Sequence, residues 1–193
     1  MKTLARSLLL LLFTGLIPIA CCDDVMEYYQ VDGIAVTLSV NNHGEEDRVH
    51  VKPEHQITLD LHFTGFQYVA ENPGFSLVTS AHATTCPKEG RGGFKDPISS
   101  ITITSNKDYL GRSAGSSLND FFAPFFHTDD NDEPIEISYT ELYEGLNNSP
   151  YAPNYARFLM KDKSDTTAQN LSLEVRFSDG ARYQESVPEL QFR

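Results

Sequence analysis

The chain has 193 residues, 27 acidic against 15 basic, and a formal net charge of −12. A surface this acidic repels phosphate backbones and argues against nucleic acid as a partner. The length suits one domain behind a short leader, and three cysteines without a Cys-x-x-Cys pair give no zinc pattern.

The chain opens with Lys2 and Arg6, followed by the apolar residues Leu8 to Phe13, Leu16, Ile17 and Ile19. A basic start ahead of a short apolar core is the pattern of a secretory signal. Pro18 interrupts a run already shorter than the ~20 apolar residues that a spanning helix needs. The small Ala20 then precedes Cys21. This arrangement resembles the lipobox of bacterial lipoproteins, although Pro18 stands where the usual pattern has a branched aliphatic residue. The resemblance implies removal of residues 1–20, acylation of Cys21 and a stable membrane anchor through several acyl chains. Residues 21–30 would then form a tether and 31–193 the folded domain. Asp23-Asp24 resembles the acidic export tag of Bacteroidetes surface lipoproteins, which implies the outer membrane and favours its cell-surface side over its periplasmic face. A plain secreted protein cut near Ala20 is the alternative. In an oxidising envelope Cys22 and Cys86 could form a disulfide; a free Cys86 in a loop is the other reading.

Ile34, Val36, Leu38 and Val40 alternate with Ala35, Thr37 and Ser39, which predicts a half-buried strand. A polar loop follows over Asn41 to Asp47. Ile57, Leu59, Leu61 and Phe63 alternate with Gln56, Thr58, Asp60 and His62, predicting a second strand with a fully wet outer face. Phe75 and Leu77 continue the pattern, and Ala81 to Gly93, with Cys86-Pro87, reads as loop. Further strands are expected at Ile101 and Ile103, at Ile135, Ile137 and Tyr139, and at Phe158 to Met160.

At the C-terminus Leu171, Leu173, Val175 and Phe177 share one parity, then Ser178-Asp179-Gly180 lead to Ala181 and Tyr183. A two-residue turn would set Phe177 opposite Arg182 and mix the faces. A three-residue loop sets Phe177 against Ala181 and Val175 against Tyr183, with Gly180 at the position that needs a left-handed residue. Helix is scarce. Ser117 with Asp120 fits a capping box, and Leu118, Phe121, Phe122 and Phe125 fall on one helical stripe cut short by Pro124. A second turn is expected from Thr140 to Gly145. Together these elements predict an all-β fold, an antiparallel Ig-like β-sandwich of about seven or eight strands with one or two short helical turns.

The lipobox, the strand Ile34-Ala35-Val36, the Cys-Pro loop, Ile98 to Ser105, Leu118-Asn119-Asp120-Phe121-Phe122 and the closing Asp-Gly hairpin together resemble the uncharacterised β-sandwich lipoproteins of Bacteroidetes envelopes, a domain of unknown function. The resemblance carries no catalytic residues.

No catalytic constellation stands out, and no cofactor is indicated. Gly111-Arg112-Ser113-Ala114-Gly115 matches the letters of a nucleophile elbow, which would make Ser113 the nucleophile of a small hydrolase. That motif requires a strand directly before it, a helix directly after, and a later acid and histidine. Asn106-Lys107-Asp108 intervene, and the only downstream histidine is His127, so a glycine-rich loop is the better reading. Asp129, Asn131 and Glu133 offer oxygen ligands at alternate positions and form a weak calcium candidate. Pro134 stands where an EF-hand loop would need glycine. His43, His50, His55, His62, His82 and His127 show no metal-ligand spacing.

Two aromatic groups remain. Phe121, Phe122, Phe125 and Phe126 suit a helix plugging one end of the sandwich better than a docking patch. Tyr139, Tyr143, Tyr151 and Tyr155 could line a sugar-stacking surface, against a simpler role in packing; the chain has no tryptophan for that purpose. The functional expectation is a lipid-anchored, non-enzymatic binding or assembly module with a protein or glycan partner. A carbohydrate-binding accessory of a nutrient-uptake system is the alternative.

Overall fold

The computed structural model describes residues 27–40, 55–70, 93–128, 131–149, 155–162 and 168–190. Among these residues ten strands follow in chain order: β1 Glu27–Gln30, β2 Gly33–Val40, β3 Ile57–Thr64, β4 Gln67–Ala70, β5 Ile98–Ser105, β6 Phe122–Thr128, β7 Asn131–Glu136, β8 Tyr155–Met160, β9 Leu171–Phe177 and β10 Arg182–Ser186. Among the described residues one helix, α1, spans Tyr139–Asn147, and one 3-10 turn covers Asn119–Phe121.

Two antiparallel sheets hold most of these strands, one in the order β2-β3-β8-β6-β7 and the other β10-β9-β5. With β1, β4 and β7 set aside, the remaining seven strands follow the A-B-E-D and G-F-C order of a constant-type immunoglobulin domain. The Ig-like sandwich expected from the alternation is therefore the fold, with three strands more than its seven-strand frame. β7 extends the larger sheet beyond β6. β1 and β4 continue the β2–β3 ladder as a separate ribbon, and Tyr29 of β1 also bridges to the segment leading into β5 (Tyr29 N–H to Gly93 O, 2.8 Å; Lys95 N–H to Tyr29 O, 2.9 Å). Tyr29, only 2 % exposed, packs into the core from within the stretch expected to be tether.

The core forms where the inward parities of the two sheets meet. Leu38, Leu59, Leu61 and Phe158 from one sheet join Ile101, Ile103, Leu173 and Val175 from the other in one cluster. Burying each such side chain stabilises the fold by about 1.5–3 kcal/mol. The C-terminal hairpin has the expected three-residue loop: Phe177 N–H donates to Ala181 O at 2.9 Å, Tyr183 lies opposite Val175, and Gly180 takes φ +92°.

Two expectations for the middle of the chain fail. The stripe Leu118, Phe121, Phe122 and Phe125 is no helix; after the 3-10 turn the chain extends into β6, where Pro124 lies opposite Phe158. Pro124 O still accepts the Ile137 N–H at 2.9 Å, so the missing proline donor interrupts the ladder without breaking it. The strand expected at Ile135 to Tyr139 instead runs from Asn131 to Glu136. Ser138 then caps α1, accepting the Glu141 N–H while the Glu141 carboxylate accepts the Ser138 N–H. Those Ser138 donors hold the Glu141 carboxyl below its usual range.

Side chains close the free edge of β5. Ile98 N–H donates to Asn147 Oδ1 (2.7 Å) and Ile98 O accepts from Asn147 Nδ2 (3.1 Å). Ile101 N–H donates to the Tyr143 hydroxyl (3.0 Å), and Ile101 O accepts from Asn119 Nδ2 (2.7 Å). Ile103 N–H donates to Asn119 Oδ1 (2.9 Å), while Ile103 O and Ser105 O accept the N–H groups of Leu118 and Gly115, each at 2.8 Å. An edge strand with its ladder groups occupied in this way offers no template to another chain.

Gln169, fully buried beside the start of β9, exchanges backbone hydrogen bonds with Leu190, yet neither its side-chain oxygen nor its nitrogen meets a partner among the described residues. Gln169→Leu, close in volume and free of that polar burden, is expected to raise the unfolding free energy by about 1 kcal/mol or more. A urea midpoint that stays put or falls would show that the carboxamide is satisfied in a way leucine cannot replace.

Candidate functional site

The outward parity of the larger sheet builds a polar surface around a partly buried ion pair. β3 turns Thr58, Asp60, His62 and Thr64 outward, and β8 turns Tyr155, Arg157 and Leu159 outward. The register sets Thr37, Asp60, Arg157 and Phe125 side by side in one row and Ala35, His62 and Tyr155 in the next. A rigid sheet thus fixes their spacing without any loop.

This face is not uniformly wet, contrary to the reading of β3. Thr58 and Asp60 are only 2 % and 7 % exposed, and Phe125 is buried as well, whereas His62 and Tyr155 stand open. Asp60 tolerates burial because both of its oxygens are occupied: Arg157 Nε donates to Oδ1 at 3.1 Å and Ser39 Oγ to Oδ2 at 2.8 Å. The guanidinium of Arg157 also lies 5.8 Å from the Phe125 ring centre and 5.9 Å from that of Tyr155, within cation–π range of both. Its two terminal nitrogens make no hydrogen bond to the described residues, so a planar fork of donors remains available beside the exposed Tyr155 ring. The His62 ring lies 6.5 Å from Tyr155.

Asp60→Ala strips both donors of their acceptor and is expected to cost about 2–3 kcal/mol by urea unfolding. A loss under about 0.5 kcal/mol would mean that the pair behaves as an ordinary surface ion pair.

The four tyrosines weighed as a sugar-stacking surface against simple packing do not stay together. Tyr139 stacks on Phe158 with its hydroxyl donating to Phe122 O, and Tyr143 accepts from β5; burial raises both phenols above their ordinary range. These two are packing residues, Tyr155 is 57 % exposed, and Tyr151 lies outside the described residues. Among the phenylalanines, Phe122 and Phe125 are buried. Phe126 pairs with Ile135 across the β6–β7 hairpin, and both stay exposed on the sheet's other face.

Ser113 sits in an exposed loop between β5 and the 3-10 turn. That loop is closed by a Tyr109–Arg112 bridge and by a salt bridge from Arg112 to Asp120 at 2.7 Å. A 3-10 turn and then a strand follow it, so the helix that a nucleophile elbow needs is missing. Asn131 and Glu133 of the calcium candidate belong to β7, and Asp129 lies outside the described residues, as do Cys21, Cys22 and Cys86. No group of three or more His, Cys, Asp or Glu side chains gathers among the described residues. A cleft of ≈ 30 Å³ between Tyr29, Val31, Phe94, Phe177 and Tyr183 has room for a water-sized group only. Ligand pockets are roughly tenfold larger.

In the sequence Asp60 and His62 stand out only as polar-face residues, and Arg157 does not stand out at all. The signal was one opposite charge in each of two alternating strands, which means nothing until the register pairs them. Comparison with protein-family models, characterised proteins and solved structures gave no match.

Proposed function

We propose that this chain is a lipid-anchored protein of the bacterial outer membrane, displayed at the cell surface, that acts as a non-enzymatic binding or assembly module. The membrane part of the reading rests on the basic–apolar leader and the Ala20-Cys21 junction. The binding part rests on one observation: a sheet face presents an exposed Tyr155 beside Arg157, whose terminal nitrogens meet no acceptor among the described residues. Binding constellations built on strands hold their geometry better than those on loops. The resemblance to β-sandwich lipoproteins of Bacteroidetes envelopes fits the same role.

Cross-linking in cells followed by pull-down of the full chain tests this, with Cys21→Ala as the control. The expected result is detergent-phase partitioning and recovery of an envelope component, both lost in Cys21→Ala. Wild-type protein found in the aqueous phase with no envelope component attached would overturn the reading.

A further inference from the structure

The open end of the outer face has a shape and a chemistry of its own. Its β2 border consists of Gly33 and Ala35, which rise little above the backbone opposite Thr64 and His62. Beside this low border stand the Tyr155 ring, the His62 ring and the terminal nitrogens of Arg157. The result is a shallow, flat platform with one exposed ring, one aromatic nitrogen heterocycle and a planar set of hydrogen-bond donors.

From this platform we infer that the ligand of the binding module is a neutral saccharide chain, stacked on Tyr155 and hydrogen-bonded by Arg157 and His62. This assignment rests on the binding-module reading and names its ligand class. A sugar ring pairs one apolar face of C–H groups with a rim of oxygen acceptors, which is what an aromatic face beside a guanidinium fork complements. Neutrality follows from charge. Asp60 already offsets Arg157 at 3.1 Å, and the chain's net charge of −12 repels polyanions. A protein partner fits less well, because a stable interface needs about 800 Å² per side around a buried apolar centre. Tyr155 is the one large hydrophobic side chain exposed here among the described residues, since Phe126 and Ile135 lie on the opposite face.

The test is calorimetric titration of the full chain with short glucose, mannose and galactose oligosaccharides, α- and β-linked, alongside uronic-acid oligosaccharides. Wild type is expected to bind one of the neutral probes. Tyr155→Ala and Arg157→Lys should each weaken binding about tenfold or more. Tyr155→Phe should keep most of the affinity, and Thr102→Ala on the other sheet should change nothing. Thermal melts establish that the variants are folded, and His62→Ala gives a second probe of the same surface. Binding of no neutral saccharide, or a preference for the uronic acids, would overturn the ligand class. Saccharide binding that ignores Tyr155→Ala and Arg157→Lys would overturn the platform. In either case the cell pull-down still decides the wider reading separately.

Discussion

Gly93→Ala is expected to be among the most damaging single substitutions in the chain, lowering stability by about 3–5 kcal/mol. Gly93 holds φ +73°, and a Cβ placed there would lie 1.8 Å from the carbonyl oxygen of Asn147 and 2.8 Å from its carbon. Both are backbone atoms, so no rotamer change relieves the contact. Retreat of the α1 end would pull Asn147 from the Ile98 N–H and carbonyl, opening the β5 edge. Retreat of Gly93 would instead strain the hydrogen bond its carbonyl accepts from Tyr29, which ties β1 to the segment ahead of β5. A loss of this size lowers the melting temperature of a domain of this length by roughly 10 °C. Gly111→Ala is the control: its φ is +75°, with nothing within 4 Å of the added carbon. That variant should cost about 1–2 kcal/mol, the left-handed penalty alone. Equal losses in the two would show that the Asn147 contact yields easily and that backbone conformation accounts for the whole effect.

What the sequence made legible was whatever depends on parity within one strand or on a single hairpin. The pairing of Phe177 with Ala181 could be chosen because the other register put apolar side chains opposite charged ones, and Gly180 stood where the turn demanded it. β2, β3, β5 and β9 were legible for the same reason. The stretch from Leu118 to Phe125 was not. Its apolar residues satisfy a helical spacing, and the deciding factor is tertiary: as β6 it buries Phe122 and fills the gap between β8 and β7. Local propensity yields to that burial. The Asp60–Arg157 pair joins residues far apart in the chain and exists only through the β3–β8 register, which no local pattern fixes. The tyrosines divide on the same principle. Tyr139 and Tyr143 fall on α1, whose apolar side packs against β5 and β6, whereas Tyr155 lies on the outward parity of a strand, and the three looked equivalent before the helix and strand were distinguished.

Asn119→Ala should cost about 3 kcal/mol by urea unfolding, because one side chain serves two backbone groups of β5. Its amide donates to Ile101 O at 2.7 Å and its oxygen accepts from Ile103 N–H at 2.9 Å, standing in for a neighbouring strand. Removing it leaves a half-buried donor and acceptor without partners, each worth about 1–3 kcal/mol. Asn119→Asp should fare little better, since it keeps the acceptor for Ile103 but sets a carboxylate against the Ile101 carbonyl. Gln would reach too far from the same turn to bridge both groups. A second readout separates loss of stability from loss of edge protection. With its ladder groups at Ile101 and Ile103 exposed, β5 becomes a template for another chain, so Asn119→Ala should scatter light on gentle warming below its unfolding midpoint. Gly111→Ala, which leaves that edge closed, should not. Aggregation of both variants only at their unfolding midpoints would mean that β5 stays covered by α1 without Asn119. Early aggregation of Asn119→Ala alone would establish that the Asn119 side chain seals the β5 edge against strand addition.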